Sequence, residues 1–164
     1  MSQKGLYEEY CIDTCSILDF WRVERAKVGV YHIKVKSFRI LWDHLAAAVE
    51  NGKILLPECV AKEITIADDE LLKWLSAHGG LFVNDDCFNE LKQIVDVYDI
   101  YTKDRSSLSD ALVIATAKHR GLTVITSENH VQNHSKFNPR IPNVCDEFSV
   151  KWLNLPDFFA KEGL

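Results

Sequence analysis

The chain has 164 residues, 47% of them apolar and 26% charged, with a formal net charge of −5. That length is enough for one domain with a sizeable core, and the balance excludes a disordered, fibrous or low-complexity chain. The acidic total argues against indiscriminate binding to nucleic acid. No apolar run approaches the ~20 residues that cross a bilayer, and residues 1–9 lack the basic start and apolar stretch of a secretory signal, so a soluble, cytoplasmic protein is expected. The five cysteines (Cys11, Cys15, Cys59, Cys87 and Cys145) are odd in number and form no CxxC pair, which suits a reducing compartment.

In chain order, Tyr10-Cys11-Ile12 is a short apolar run that predicts a buried strand delivering Asp13 at its carboxyl end. A helix follows, with Thr14 or Ser16 as its cap. The spacing of Phe38, Leu41, Trp42, Leu45 and Val49 predicts a helix over 37–50, stopped at Asn51-Gly52. Residues 53–56 read as a second buried strand, and Pro57 opens the helix that carries Glu63. Further helices are expected over 68–78 and 86–101, around a brief strand at 81–83. Ser107 or Ser109 is expected to cap a helix over 110–119 that ends before Gly121. Leu122 to Thr126 reads as a strand ending at Ser127-Glu128. Residues 141–144 and 150–155 are candidate strands, and 156–161 a short final helix. Apolar strands alternating with helices predict an α/β fold with a parallel sheet covered on both faces, in one domain.

Open parallel sheets form their sites outside the carboxyl ends of the strands. Asp13 and Glu128 are expected just there. Asp110 is expected at a helix start, where the dipole favours a carboxylate, and Glu63 on the helix after the second strand. Four acids in one crevice could not all stay ionised alone. A divalent cation removes that conflict, and hard oxygen ligands suit Mg²⁺ or Mn²⁺ better than zinc. Such cations polarise a phosphoryl oxygen and orient an in-line attack, so phosphodiester hydrolysis is the expected reaction. His130 and His134 lie near Cys145 and raise the alternative of zinc, but the second close pair of ligands that zinc sites use is missing.

The stretch Tyr-Cys-Ile-Asp-Thr-Cys-Ser-Ile-Leu-Asp (residues 10–19) resembles the first motif of PIN-domain nucleases. Leu-Pro-Glu-Cys-Val-Ala-Lys-Glu-Ile (56–64) looks like the helix carrying their second acid. Ser-Asp-Ala-Leu-Val-Ile-Ala-Thr-Ala-Lys (109–118), then Gly121 and Thr-Val-Ile-Thr-Ser-Glu (123–128), is similar to their third and fourth motifs. The ending, 141–159, looks like a bacterial PIN subfamily. The resemblance implies a three-layer α/β/α sandwich with a mainly parallel sheet. It also implies a Mg²⁺- or Mn²⁺-dependent ribonuclease, often the toxin of a toxin–antitoxin pair and often a homodimer. By the same resemblance Asp13, Asp110 and Glu128 would be metal ligands, and Glu63 a ligand or the residue that orients the attacking water. Ser16 and Thr126 would hold the carboxylates in place.

Two departures from the family pattern bear on that site. Cys15 stands where Ser, Thr or Asn is usual, and cysteine is the weaker hydrogen-bond partner. Glu128 replaces the more usual Asp. Glu58, on the same helix as Glu63, is an alternative second acid. The competing functional reading is a PIN-fold module that binds RNA or a protein partner without cutting. A phosphotransferase using Asp13 as nucleophile would generally place a second Asp where Cys15 sits. Between residues 22 and 39, six basic residues (Arg22, Arg25, Lys27, Lys34, Lys36 and Arg39) face one acid, for a local charge of +5 that leaves −10 on the rest. That stretch is either a solvated surface or an arm that contacts the phosphates of an RNA substrate.

Overall fold

The computed structural model describes residues 9–25, 32–80, 82–84 and 86–164, without the side chains of 23–25 and 32–39. The chain runs β1 (Tyr10–Ile12), α1 (Thr14–Arg25), α2 (His32–Glu50), β2 (Ile54–Pro57), α3 (Glu58–Ala67), α4 (Asp69–Ala77), β3 (Phe82–Val83), α5 (Phe88–Val97), a 3-10 turn (Asp99–Thr102), α6 (Arg105–Arg120), β4 (Thr123–Thr126), α7 (Ile141–Glu147), β5 (Trp152–Asn154) and α8 (Leu155–Lys161). The five strands form one sheet in the order β3-β2-β1-β4-β5, and every pairing is parallel. With helices on both faces, the fold is a three-layer α/β/α sandwich. No helix among the described residues is long and apolar enough to cross a membrane.

The three inner strands explain themselves from sequence. Tyr10-Cys11-Ile12, Ile54-Leu55-Leu56 and Val124-Ile125 are buried without alternation, as strands covered on both faces must be. The edge strands β3 and β5 are short and only half-buried, which limits the unpaired backbone they present to other chains. α6 packs on β1, β2, β4 and α3. Its buried face is mostly small, Ala111, Ala115, Thr116 and Ala117 with Val113 and Ile114, so the helix lies close to the sheet. On the outer layer, Trp21, Trp42 and Trp74 meet from α1, α2 and α4, with ring centroids 5.2 to 6.2 Å apart. Trp21 also donates its indole N–H to Asp68 at 3.0 Å.

The cap of α1 is neither Thr14 nor Ser16, which both lie inside the helix, but Asp13, whose Oδ1 accepts the Ser16 N–H at 2.8 Å. Three further expectations need correction. Residues 141–144 are the start of helix α7, not a strand. Ile141 through Cys145 are all buried, and Pro142 suits a first turn because it has no N–H to leave unpaired. The expected helix over 86–101 is broken into α5 and the 3-10 turn, with Tyr98 between them. The third correction concerns α6, which starts at Arg105. Its cap is Asp104, which accepts both the backbone N–H and the hydroxyl of Ser107 at 2.8 Å. Ser109 is buried inside the helix. Asp110 therefore lies in the second turn, beyond the reach of the N-terminal dipole. The expected stop does occur at Gly121, whose φ of 71° is the left-handed conformation that favours glycine.

Candidate active site

The chain builds its sheet outward from β1, through β2 to β3, then returns to the other side of β1 to add β4 and β5. The order therefore reverses between β1 and β4, and such a switch point opens a crevice at the carboxyl ends of the strands. Asp13 leaves β1 at that crevice and Glu128 follows β4 into it.

Asp13 is 3% exposed and held on both oxygens. Its Oδ1 accepts the backbone N–H of Ser16 at 2.8 Å, and its Oδ2 accepts the Thr126 hydroxyl at 2.7 Å. The same Thr126 oxygen accepts the backbone N–H of Glu128 at 3.1 Å. Ser16 Oγ accepts the N–H of Ser127 at 2.7 Å. Two hydroxyls thus tie the exits of β1 and β4 together and set where both acids leave the sheet. Burial pushes the Asp13 carboxyl above its usual range, and hydrogen bonds from Ser16 and Thr126 pull it back.

Asp110 has no such support, because among the described residues no hydrogen bond reaches its carboxylate. Burial raises its pKa to about 8, reinforced by the charges of Glu128, Asp13 and Glu63. Glu128 is also raised, by burial first, although the backbone N–H of Ile141 on its Oε2 at 2.7 Å and the nearby Arg140 guanidinium oppose the shift. Glu63 is half-buried, and its Oε1 is fully enclosed with no hydrogen-bond partner. Its charge reaches Asp110 and Cys15. Glu58 points elsewhere, pairing with Lys62 at 3.3 Å. Asp110 is therefore close enough to Glu128, Asp13 and Glu63 to feel all three charges. As the side chains stand, no three His, Cys, Asp or Glu residues among the described ones are grouped to hold a metal ion.

The two departures noted in the sequence have structural answers. Cys15 is exposed beside Asp13, and its thiol is pushed up to about 11 by partial burial and by the charges of Asp13 and Asp110. It stays protonated at neutral pH, while Ser16 makes the hydrogen bonds that anchor Asp13. Glu128 uses its extra length to reach the first backbone N–H of α7. Thr126→Val, which keeps the shape but loses the hydroxyl, should lower stability by about 1–3 kcal/mol. It should also weaken divalent-cation binding by about 10–100-fold. Denaturant unfolding and cation titration of the same variant check both.

Other expected residues fall elsewhere. Arg22 is exposed on α1, Lys27 lies outside the described residues, and Arg25, Lys34, Lys36 and Arg39 are helical positions whose side chains are not described. The histidines raised as zinc ligands are engaged separately. His134 Nε2 meets the Tyr98 hydroxyl at 2.8 Å, while His130 meets Asp146 at 3.3 Å and Asn143 at 3.2 Å. Two site neighbours escaped the sequence reading. Tyr101, from the 3-10 turn, is 2% exposed, with a hydroxyl that has no partner near enough to feel the charges of Asp110 and Glu128. Arg140 precedes α7 and faces Glu128. No periodic signal marks either one. Beside the acids, a groove of about 560 Å³ opens between α3 and α6, reaching Glu63 and Ser109 and edged by Lys62 and Arg105.

No curated protein matches the chain. Residues 10–164, which include every acid of the crevice, match the sequence family described as a domain of unknown function, DUF4411, and the chain belongs to that family.

Proposed function

We propose that the chain is a metal-dependent endoribonuclease that hydrolyses RNA phosphodiester bonds. The observation that carries this reading is the imbalance of the crevice. Asp110, at the electrostatic meeting point of Glu128, Asp13 and Glu63, is driven to a pKa of about 8, and Glu63 has a buried oxygen with no partner. Proteins do not keep buried like charges for stability, and a divalent cation would satisfy both defects. The donors are all hard oxygens, which fits Mg²⁺ or Mn²⁺. Asp13, Asp110 and Glu128 would hold it, with Glu63 as a further ligand or as the residue that takes up the proton of the attacking water. Such an ion, when bound, polarises a phosphoryl oxygen and lowers the pKa of water.

The remaining work falls to the chain. Ser16 and Thr126 keep Asp13 fixed, so its position costs no reorganisation during reaction. Arg140 supplies a positive group beside the acids, able to meet an incoming phosphate. The groove beside Glu63 has room for a nucleotide next to the scissile bond. The roles of toxin, antitoxin partner and homodimer, and a cytoplasmic place of action, rest on the resemblance of the four motifs to PIN nucleases.

The test is incubation of purified protein with mixed RNA and Mn²⁺. Cleavage that stops on adding chelator and returns with fresh Mn²⁺ is the expected result. No cleavage across diverse RNAs with either Mn²⁺ or Mg²⁺ would remove the reading. It would leave a PIN-like module that binds RNA or a partner without cutting.

A further inference from the structure

The connection from Glu128 to α7 is long, has no regular secondary structure, and is held firmly. At its start, Asn143 clasps Val131 from both sides, accepting its N–H at 3.1 Å and donating to its carbonyl at 2.7 Å. In its middle, His134 is pinned by the buried Tyr98 hydroxyl at 2.8 Å. At its end, the backbone N–H of Ile141 is fastened to Glu128 itself. Between these anchors Ser135 and Asn138 close a tight turn. The Asn138 N–H donates to the Ser135 carbonyl at 3.1 Å, and the Phe137 N–H to Ser135 Oγ at 3.1 Å. Lys136 and Phe137 sit at the tip of that turn.

Phe137 is 77% exposed. A loop tied down this well could have folded an aromatic ring inward, yet it presents the ring to water. The chemistry around it is one-sided. Residues 129–140 contain Lys136, Arg140, two histidines and four Asn or Gln residues, and no Asp or Glu, in a chain whose net charge is −5. Both cations are exposed. An exposed aromatic between cations matches the way proteins hold single-stranded nucleic acid, with a base stacked on the ring and phosphates on the cations. A duplex keeps its bases stacked and offers the ring nothing.

From this we infer that the 129–140 loop is a single-stranded nucleic-acid platform, with Phe137 stacking an unpaired base and Lys136 and Arg140 holding the adjoining phosphates. It deepens the nuclease reading and rests on it for the role of the bound strand, because the loop leaves the acidic crevice at Glu128 and returns to it at Arg140. The bound strand would be led toward the four carboxylates.

The test uses the full chain in chelator, so that binding is read without cleavage, with fluorescence anisotropy of a labelled mixed-sequence 12-mer. Single-stranded RNA, single-stranded DNA and duplex RNA of that sequence are the three probes. Phe137→Ala should weaken binding of the single strands by about tenfold or more, and Phe137→Trp should keep it. Arg140→Ala should flatten the salt dependence by about 0.7 in slope. Both single strands should bind better than the duplex, with RNA ahead of DNA if sugar contacts add to stacking. Equal binding by wild type and Phe137→Ala, preference for duplex, or no binding by wild type would each overturn the inference. The nuclease reading fails separately. A wild type that needs Phe137 for binding yet cuts nothing with Mn²⁺ keeps the platform and loses the nuclease. A wild type that cuts while Phe137→Ala binds as well as it does keeps the nuclease and loses the platform.

Discussion

Asp110→Asn should make the cation-free protein markedly more stable at pH 8.5, while depriving it of cation binding. An unfolded chain gives up this proton near 3.8, whereas the folded protein holds it to about 8. Between those values the folded state binds more protons than the unfolded one, so stability falls as pH rises through the window and levels off above it. The cost is on the order of 4–6 kcal/mol when complete. Asparagine carries no charge to repel Glu128, Asp13 and Glu63, so the variant should escape the decline. At about 2–4 °C per kcal/mol for a chain of this size, its melting temperature in chelator should exceed wild type by roughly 10 °C at pH 8.5 and by little near pH 4. Millimolar Mg²⁺ should flatten the wild-type curve and leave the variant's unchanged. A wild type whose melting temperature is level from pH 5 to 9 in chelator would contradict this.

Asp13→Ala should have the opposite effect on stability, although it too removes a carboxylate from the same crevice. Asp13 is fastened by Thr126 and Ser16, and truncation strands a buried hydroxyl and a buried N–H as well as leaving a void. The expected loss is about 2–4 kcal/mol. Cleavage should fall by more than about a hundredfold, beyond what loss of an outer partner produces. Asp13→Asn separates the two effects. It keeps one acceptor and most of the volume, so stability should largely return while activity does not. Denaturant unfolding and initial cleavage rates on the three proteins make the comparison. Activity restored by asparagine would mean that the charge of Asp13 is not needed.

The contrast between the two aspartates marks what could be read without a structure. Asp13 was legible because a buried apolar run ended at it and a helix followed, although the cap expected at Thr14 or Ser16 is made by Asp13 itself. Asp110 was legible as an acid of the site but misplaced on its helix. Asp104, Ser106, Ser107 and Ser109 are all good caps, and only the two hydrogen bonds that Ser107 donates to Asp104 decide among them. Glu63 could not be told from Glu58 by spacing, since the choice depends on how α3 turns against α6. Residues 141–144 read as a strand because they are a short run bounded by Ile141 and Val144, and continuous burial from Ile141 to Cys145 gives no period by which a helix could be told from a strand. Tyr101 and the 129–140 loop carry no period at all. Their placement is set by tertiary contacts, through Tyr98, Asn143 and Glu128, that no short window of sequence contains.

The nuclease chemistry depends on the four acids forming one cation site. Titration of Mn²⁺ into the purified chain, followed by the loss of the free-ion electron paramagnetic resonance signal, reads this directly. Wild type should take up Mn²⁺ with saturation, and Asp13→Asn and Asp110→Asn should each leave the ion free at the same concentrations. Uptake undiminished in both variants, or none by wild type, would contradict the account.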